Sequence, residues 1–229
     1  MPGIPKRSWS AKQMFESVSV IGAGRAGSTI AARLRERGVA LREDGELRLL
    51  CVPDRAIAAA AGAIEPGPWV AHVSGGTPLA ALAPHERRFS VHPLQTLVAR
   101  RGPEQLDGAY AAVTAETPDA ADRALWLAHT LGLQPFTLAD DRRAVYHAAA
   151  SIASNFLVTL HRAASALMED AGAPPEALVP LMRRTIENGF ELTGPIARGD
   201  WETVARHREA LRGGEFERLY DALAEATRP

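Results

Sequence analysis

Residues 18–28 read VSVIGAGRAGS, a short apolar run that ends in three glycines spaced as G-x-G-x-x-G. The pattern predicts a strand that begins at Val18 and stops at Gly22, followed by a helix over residues 26–37. In such a turn the first glycine allows a tight bend, the second lets a ligand approach the backbone, and the third lets the helix lie close to the strand. Free amides and the positive end of the helix dipole meet there and favour a bound diphosphate. The alternative is a structural strand-to-helix turn without a ligand.

The composition of the 229-residue chain, 46% hydrophobic and 23% charged, is that of an ordinary globular protein. A net charge of −1 provides no basic surface for nucleic acid. No apolar run approaches the roughly 18 residues of a membrane span, and residues 1–16 lack the apolar core of a signal peptide. We therefore expect a frayed N-terminal tail and a cytoplasmic protein. The single cysteine, Cys51, lies in LRLLCVP, which indicates a buried strand residue rather than a catalytic thiol.

Several chemistries are excluded by residue type and spacing. The only lysines are Lys6 and Lys12, which both precede the first strand, so a mechanism that needs a lysine inside the fold is ruled out. The same absence excludes the phosphate loop of kinases and ATPases. HERRF at residues 85–89 lacks the second histidine of a zinc-binding H-E-x-x-H, and no metal site is predicted. VSGG around Ser74 lacks the glycine that precedes the serine of a nucleophile elbow.

The segment between the first helix and the strand predicted over residues 47–52 is unusually short. A parallel crossover alone takes about ten residues, so an ordinary second strand, helix and return do not fit. Either this strand and helix are pared away, or residues 39–41 form a small edge ribbon that turns at residues 44–45. The acidic residue that usually binds the adenosine ribose lies about 20 residues after the glycines. Glu43 and Asp44 fall near that distance, either as ribose ligands or as plain turn residues.

Strand and helix patterns alternate up to residue 138 and predict a parallel α/β sheet with both faces covered. The further strands are expected over residues 69–73, 89–91, 110–114 and 134–138. Ligands of such sheets collect at the carboxyl ends of the strands, so the loops there should converge on one crevice. The residues that these loops would bring to the crevice include Gly22, Gly24, Arg25, Ala26, Gly27, Val52, Pro53, Asp54, Ser74 and Gly75.

From residue 140 onward the pattern is entirely helical. Residues 141–172 read as one helix of roughly 30 residues, about 45 Å long, and three shorter helices follow, the second of them capped by Asp200. The predicted organisation is a tail (1–16), a sheet domain (17–139) and a helical domain (140–229). Since about 60 further residues do not cover so long a helix, we predict that a second copy does, in a homodimer.

Candidate catalytic residues lie on the long helix and at one strand end. His147, Ser151 and Asn155 are spaced by four and so share one helix face. His147 and Asn155 suit proton transfer and the orientation of a substrate carbonyl or imine, the alternative being packing roles. His92, which precedes Pro93, is the other proton donor candidate, or else a histidine that fixes its loop.

Substrate contacts are expected from the same helix and from one loop. The loop LTGPIARGD contains Thr193 and Arg198, and Arg198 has the fork geometry that clamps a carboxylate or phosphate. With Ser151, these are the candidate substrate residues.

Six motifs carry a resemblance to a known family from about residue 18 to residue 211: VIGAGRAGS, LLCVPD, HVSGG, FSVHPLQTL, YHAAASIASNFLVTL and LTGPIARGD. In this order they resemble the uncharacterised Rossmann-like oxidoreductase family related to pyrroline-5-carboxylate reductase and ketopantoate reductase. The resemblance implies an N-terminal NAD(P)-binding domain and a helical dimerisation domain of the 6-phosphogluconate dehydrogenase type. It also implies that the nicotinamide lies beside the loops at residues 52–54 and 74–76, with the substrate against the long helix.

The sequence therefore predicts a homodimeric NAD(P)-dependent oxidoreductase that transfers a hydride between nicotinamide and a small polar carbonyl or imine. The choice between NAD and NADP stays open because the second strand is abbreviated. The missing lysine moves the likeness from ketopantoate reductase toward imine-type reductases. The alternative is a nucleotide- or metabolite-binding sensor that keeps the reductase fold without turnover.

Overall fold

The computed structural model describes residues 13–228, so the predicted tail lies mostly outside the described residues. Seven strands form one sheet in the order β2-β1-β3-β4-β5-β6-β7. The strands are β1 (Ser17–Ile21), β2 (Ala40–Leu41), β3 (Leu47–Leu50), β4 (Trp69–His72), β5 (Arg88–Pro93), β6 (Tyr110–Ala115) and β7 (Gln134–Thr137). The helices of this part are α1 (Arg25–Glu36), α2 (Ile57–Gly62) and α3 (Pro118–Thr130). The predicted Rossmann-like α/β architecture is confirmed.

One strand pair departs from the all-parallel expectation, because β6 runs antiparallel to β5 with Ser90 opposite Thr114. The chain leaves β5 at its carboxyl end and enters β6 from that same end, so no crossover helix is needed. Between them lies a loop with a 3₁₀ turn at Pro103–Leu106. The Gln105 side-chain amide donates to the carbonyls of Val98, Arg101 and Gly102 and so holds this loop.

The second strand is shortened to two residues, as predicted, but it does not form a ribbon that turns at residues 44–45. β2 pairs parallel to β1, with Leu41 opposite Val18, and β3 pairs on the other side with Leu47 opposite the same Val18. Because β2 stops at the level where β3 starts, the chain needs no helix to return. It crosses β1 at Gly45, where an added Cβ would lie only 2.6 Å from the Ser19 nitrogen.

The core lies on both faces of the sheet. One cluster joins α1 and α3 to the strands and includes Ile30, Phe89 and Trp126. A smaller cluster beneath α2 includes Leu50 and Ile57. Cys51 is 8% exposed, and burial raises the pKa of its thiol to about 12, as expected of a packing residue rather than a nucleophile.

The helical region begins with α4 (Arg143–Ser151), passes through a π-helical segment (Ile152–Phe156) and continues as α5 (Leu157–Asp170). The predicted single long helix is thus helical throughout but carries a wider turn that an α-helical period does not predict. Three helices follow: α6 (Leu178–Glu187), α7 (Trp201–Leu211) and α8 (Glu217–Ala226). The predicted cap is confirmed, since the Asp200 carboxylate accepts from the Thr203 amide at 3.1 Å.

The chain divides into two compact units between Ser154 and Asn155, so α4 belongs to the same unit as the sheet. The predicted domain boundary at residues 139–140 stays a prediction. Among residues 13–228, no helix combines the length and the apolar character that a membrane span requires.

Candidate functional site

The glycine turn between β1 and α1 has the geometry that its spacing predicts. Gly22 has φ +114°, a conformation that favours glycine. An added Cβ on Gly27 would lie 1.9 Å from the Gly22 carbonyl oxygen, so only glycine lets α1 pack this close. An added Cβ on Gly24 would meet nothing within 4 Å, which leaves its backbone open to a ligand. Helix α1 starts at Arg25 with no acidic residue in its first turn and no side-chain cap.

A cavity of about 480 Å³ lies beside this turn, along the edge of β1 that the short β2 leaves uncovered. One wall is a stripe of α1 with Ser28, Ala31 and Arg35. The other wall is formed by β1 and by the end of β2, including Arg42 and Glu43. Because β2 is short, this cavity stays open. It lies on the side of the glycine turn where dinucleotide-binding folds place the adenosine.

The polar residues after β2 differ in what they contact. The Arg42 guanidinium donates to both carboxylate oxygens of Asp44, at 2.9 and 3.3 Å, and this pairing lowers the pKa of Asp44. Both partners are mostly exposed, so solvent screens the pair and it adds little to the stability of the fold. Glu43 lines the cavity, whereas Asp44 is not among its lining residues. Of the two predicted ribose ligands, Glu43 is the one placed in the pocket.

The loops after β3, β4 and β5 meet, as the topology predicts. Added Cβ atoms show how close the approach is: one on Gly75 would lie 2.8 Å from His92 Cε1 and 3.0 Å from His147 Cδ2. One on Gly76 would lie 3.0 Å from His147 Nδ1 and 3.8 Å from Asp54 Oδ2. Both imidazole rings therefore rest against a backbone that has no room for side chains.

His92 is hydrogen-bonded to a residue that the sequence analysis did not single out. Its Nδ1 lies 2.7 Å from the hydroxyl of Tyr146, and the His92 and His147 ring centroids are 6.1 Å apart. Burial, followed by the proximity of His147, lowers the pKa of His92 to about 4. Burial raises the pKa of Tyr146 to about 12. At neutral pH the pair is therefore a neutral imidazole and a neutral phenol.

A buried ion pair fixes the loop after β4 to the start of α4. Arg143, 1% exposed, donates from Nε to Asp140 at 2.7 Å and from Nη1 to the Ser74 carbonyl at 3.1 Å. The Asp140 carboxylate also accepts from the Leu79 amide at 3.1 Å. The Ser74 hydroxyl accepts from the backbone amides of Gly76 and Thr77. Ser74 therefore shapes its own turn, and the Arg143 network holds that turn near His147.

A third histidine lies beneath this turn. His72 is fully buried, and its Nδ1 accepts from the Ser74 amide at 3.2 Å. Burial, followed by the proximity of Arg143, lowers the pKa of His72 to about 4. The ring therefore accepts its backbone hydrogen bond in the neutral form.

The remaining predicted residues are placed as follows. Ser151 ends α4, one helical turn after His147, as the four-residue spacing requires. Asn155 lies in the π-helical segment, whose longer turn changes that spacing, so its position on the same face stays a prediction. In the second unit Arg198 is exposed and its guanidinium donates to the Thr193 carbonyl within the same loop. The substrate roles of these residues are predictions still.

Sequence signals existed for the residues that were missed. Tyr146 adjoins the predicted His147, and a tyrosine beside a candidate histidine on a helix is a potential proton donor. Asp140 and Arg143 have the three-residue spacing of an ion pair in a first helical turn. For His72, the last residue of a strand, no sequence signal separates it from an ordinary buried position.

The comparisons agree with this description. The DUF2520 family, a domain of unknown function, matches residues 109–227, which is more than half of the chain. No curated protein matches the chain. The fold is similar to that of BF3122 from Bacteroides fragilis, a candidate NADP oxidoreductase, with TM-score 0.77 and 20% identity over 92% of this chain and 97% of that one.

Two other solved structures share the fold. Protein TM1727 from Thermotoga maritima has TM-score 0.72 and 22% identity over 92% of this chain and 95% of that one. The 1-pyrroline-5-carboxylate reductase of Streptococcus pyogenes has TM-score 0.60 and 12% identity over 92% and 96%. At these identities the similarity establishes the fold.

Proposed function

The chain belongs to the DUF2520 family, and from that premise we propose that it is an NAD(P)-dependent oxidoreductase acting on a small polar carbonyl or imine. The observation that carries the proposal is the open glycine turn at Gly24, next to a cavity that the short β2 leaves accessible. Names of fold relatives support it, since they include a candidate NADP oxidoreductase and a pyrroline-5-carboxylate reductase.

The residues present fit a dinucleotide. The diphosphate would rest on the amides at the start of α1, which Gly24 leaves uncovered, while Gly22 and Gly27 set the turn. Val52, Pro53 and Asp54 would line the path from this turn to Ser74 and Gly75. When bound, the nicotinamide supplies or accepts a hydride. The chain itself has only to bind and orient the cofactor and the substrate, and to transfer one proton.

The proton is assigned to the histidines that rest on Gly75 and Gly76. His147 is exposed, so its ring is accessible to solvent. His92 is neutral at physiological pH, so we assign it the relay of a proton by hydrogen bonding rather than the role of a permanent cation. Asn155 is proposed to orient the substrate, with Ser151, Thr193 and Arg198 as its further contacts.

The open cavity removes one argument for the sensor alternative. That alternative depended on a missing adenosine wall, and the wall residues of α1 and β1 are in place around about 480 Å³. The proposal also includes a homodimer and a cytoplasmic location, the latter consistent with a single cysteine and no internal disulfide.

The test is a titration of the purified protein with NADPH and with NADH, followed by nicotinamide fluorescence. We expect saturable binding of at least one of them, and then oxidation of the bound nucleotide in the presence of some member of a panel of ketones, aldehydes and cyclic imines. Absence of binding at millimolar concentration would refute the proposal. Binding without turnover across the panel would favour the sensor.

A further inference from the structure

We propose that the cavity beside β1 selects the 2′-phosphorylated dinucleotide, NADP(H), and that Arg35 and Arg42 hold its 2′-phosphate. This inference rests on the proposed function and adds to it the choice of cofactor. It is drawn from the depth of the cavity and from the charges on its two walls.

The depth follows from the register of the short strand. Leu41 is the last residue of β2 and pairs opposite Val18, four residues before the turn at Gly22. At about 3.3 Å per residue, β2 therefore ends about 13 Å below the turn. In an ordinary dinucleotide fold a short acidic side chain at the end of this strand reaches the ribose. Here the end of β2 lies further from the glycine turn. The space therefore suits a longer side chain at the strand end and a ribose that carries an additional group.

The charges favour the same ligand. Arg35 lines the α1 wall, and its guanidinium has no hydrogen bond or ion pair with any residue in the described part of the chain. Arg42 lines the opposite wall, and among the described residues its guanidinium bonds to Asp44 alone. Two arginines thus line the cavity against one acidic residue, Glu43. A sugar phosphate with a charge between about −1.5 and −2 complements this excess.

Arg42 can exchange its partner at low cost. The side chains of Arg42 and Asp44 are 62% and 72% exposed, and a pair so accessible to solvent is weak. A phosphate offers the same fork-shaped acceptor geometry with a larger charge, so its bidentate hydrogen bonds are stronger. The Asp44 pair holds Arg42 near the cavity until the phosphate replaces the carboxylate.

Glu43 provides the competing reading. This residue lines the same cavity, and its carboxylate would accept hydrogen bonds from the unphosphorylated ribose of NAD. Under that reading Glu43 carries the selectivity and the arginines do not. The two readings predict opposite effects of substitution.

The experiment measures four ligands on the wild type, on three arginine variants and on Glu43→Gln. NADPH and NADH are titrated by nicotinamide fluorescence, and 2′,5′-ADP and 5′-ADP by calorimetry. The wild type should bind NADPH at least about tenfold tighter than NADH, and 2′,5′-ADP tighter than 5′-ADP. Arg42→Ala and Arg35→Ala should each weaken NADPH and 2′,5′-ADP by about tenfold and leave NADH within about threefold. Arg37→Ala removes an exposed arginine outside the cavity and should change none of the four.

Each other outcome is decisive. Equal or tighter binding of NADH, together with its loss in Glu43→Gln, would overturn the inference while the proposed function stands. Equal weakening of NADPH and NADH in the arginine variants would also overturn it, because the arginines would then act on the nucleotide in general. No binding of either dinucleotide would refute the proposed function, and with it the inference. Since Arg35 and Arg42 are exposed, thermal unfolding should confirm that the variants are folded.

Discussion

The histidines beneath the site make the folded protein sensitive to acid. The pKa values of His72 and His92 are both lowered from the usual 6.5 to about 4, chiefly by burial. In the unfolded chain these rings take up protons below about pH 6.5, but in the folded protein only near pH 4. The free energy of unfolding should thus be unaffected by them above pH 6.5 and fall as the pH drops from 6.5 to 4.

The expected loss over this window is on the order of a few kcal/mol for the two rings together. Urea unfolding at pH 7 and pH 5 measures it. His92→Gln should remove about half of the dependence, because His72 keeps its lowered pKa, whereas His207→Gln, which changes an exposed histidine, should leave it as in the wild type. An unchanged pH dependence in His92→Gln would show that this ring is not held neutral by the fold.

Gly75 is where the two candidate catalytic rings touch the backbone. In Gly75→Ala the new methyl group must displace His92 or His147, because both ring atoms lie within 3.0 Å of its position. We expect a loss of about 1 to 3 kcal/mol in the free energy of unfolding, measured in urea. Gly62→Ala is the matched control, since its methyl group meets nothing within 4 Å and should be neutral or stabilising. Equal effects in the two variants would contradict the described packing.

At the scale of the element, the glycine turn separates folding from binding. In Gly24→Val the side chain projects into open space, so the fold should lose at most about 1 kcal/mol while nucleotide affinity is lost. In Gly27→Val the side chain would collide with the Gly22 carbonyl oxygen, so this variant should not fold stably. Circular dichroism and nicotinamide fluorescence distinguish the two. Undiminished affinity in Gly24→Val would remove the turn from the binding site.

Local sequence rules predicted the elements that depend on local chemistry. The turn at Gly22, the buried strand before Cys51 and the cap at Asp200 follow from the steric or hydrogen-bonding needs of a few adjacent residues. The direction of β6 and the register of β2 depend on pairing between distant segments, which no local period encodes. The π-helical segment likewise interrupts a pattern that reads as continuous.

The same division holds for the site. The convergence of Ser74, Gly75 and His92 could be predicted because parallel strands present their carboxyl ends at one edge. Tyr146 could not be paired with His92 from sequence, since their contact spans 54 positions and depends on how α4 packs. The open cavity at Arg42 could not be predicted from the sequence either. It exists because β2 ends early, and no residue motif marks that end.

At the scale of the whole molecule, exposed apolar side chains support the proposed homodimer. The second unit exposes large hydrophobic residues on and after α6: Val179, Leu181, Ile186, Phe190 and Leu192. Phe190, the most exposed of these five, is 70% exposed. Large apolar side chains exposed in this number are characteristic of a protein interface. We therefore expect light scattering after size exclusion to give twice the mass of one chain.

Charge placed on this surface should separate the copies. A variant with Ile186→Glu and Phe190→Glu is expected to elute as a folded monomer, because a desolvated carboxylate without a partner is costly at an interface. Glu225→Gln, a change at an exposed polar position, should remain dimeric. A wild type that stays monomeric at all concentrations would contradict the dimer.

The central claim is that a dinucleotide binds at the glycine turn with its adenosine in the cavity beside β1. A crystal structure of the protein grown with NADPH tests it most directly. In that structure we expect the NADPH diphosphate to lie against the amides at the start of α1, with the adenosine ribose between Arg35 and Arg42. A nucleotide bound elsewhere, or a turn closed by protein side chains in the presence of saturating NADPH, would contradict it.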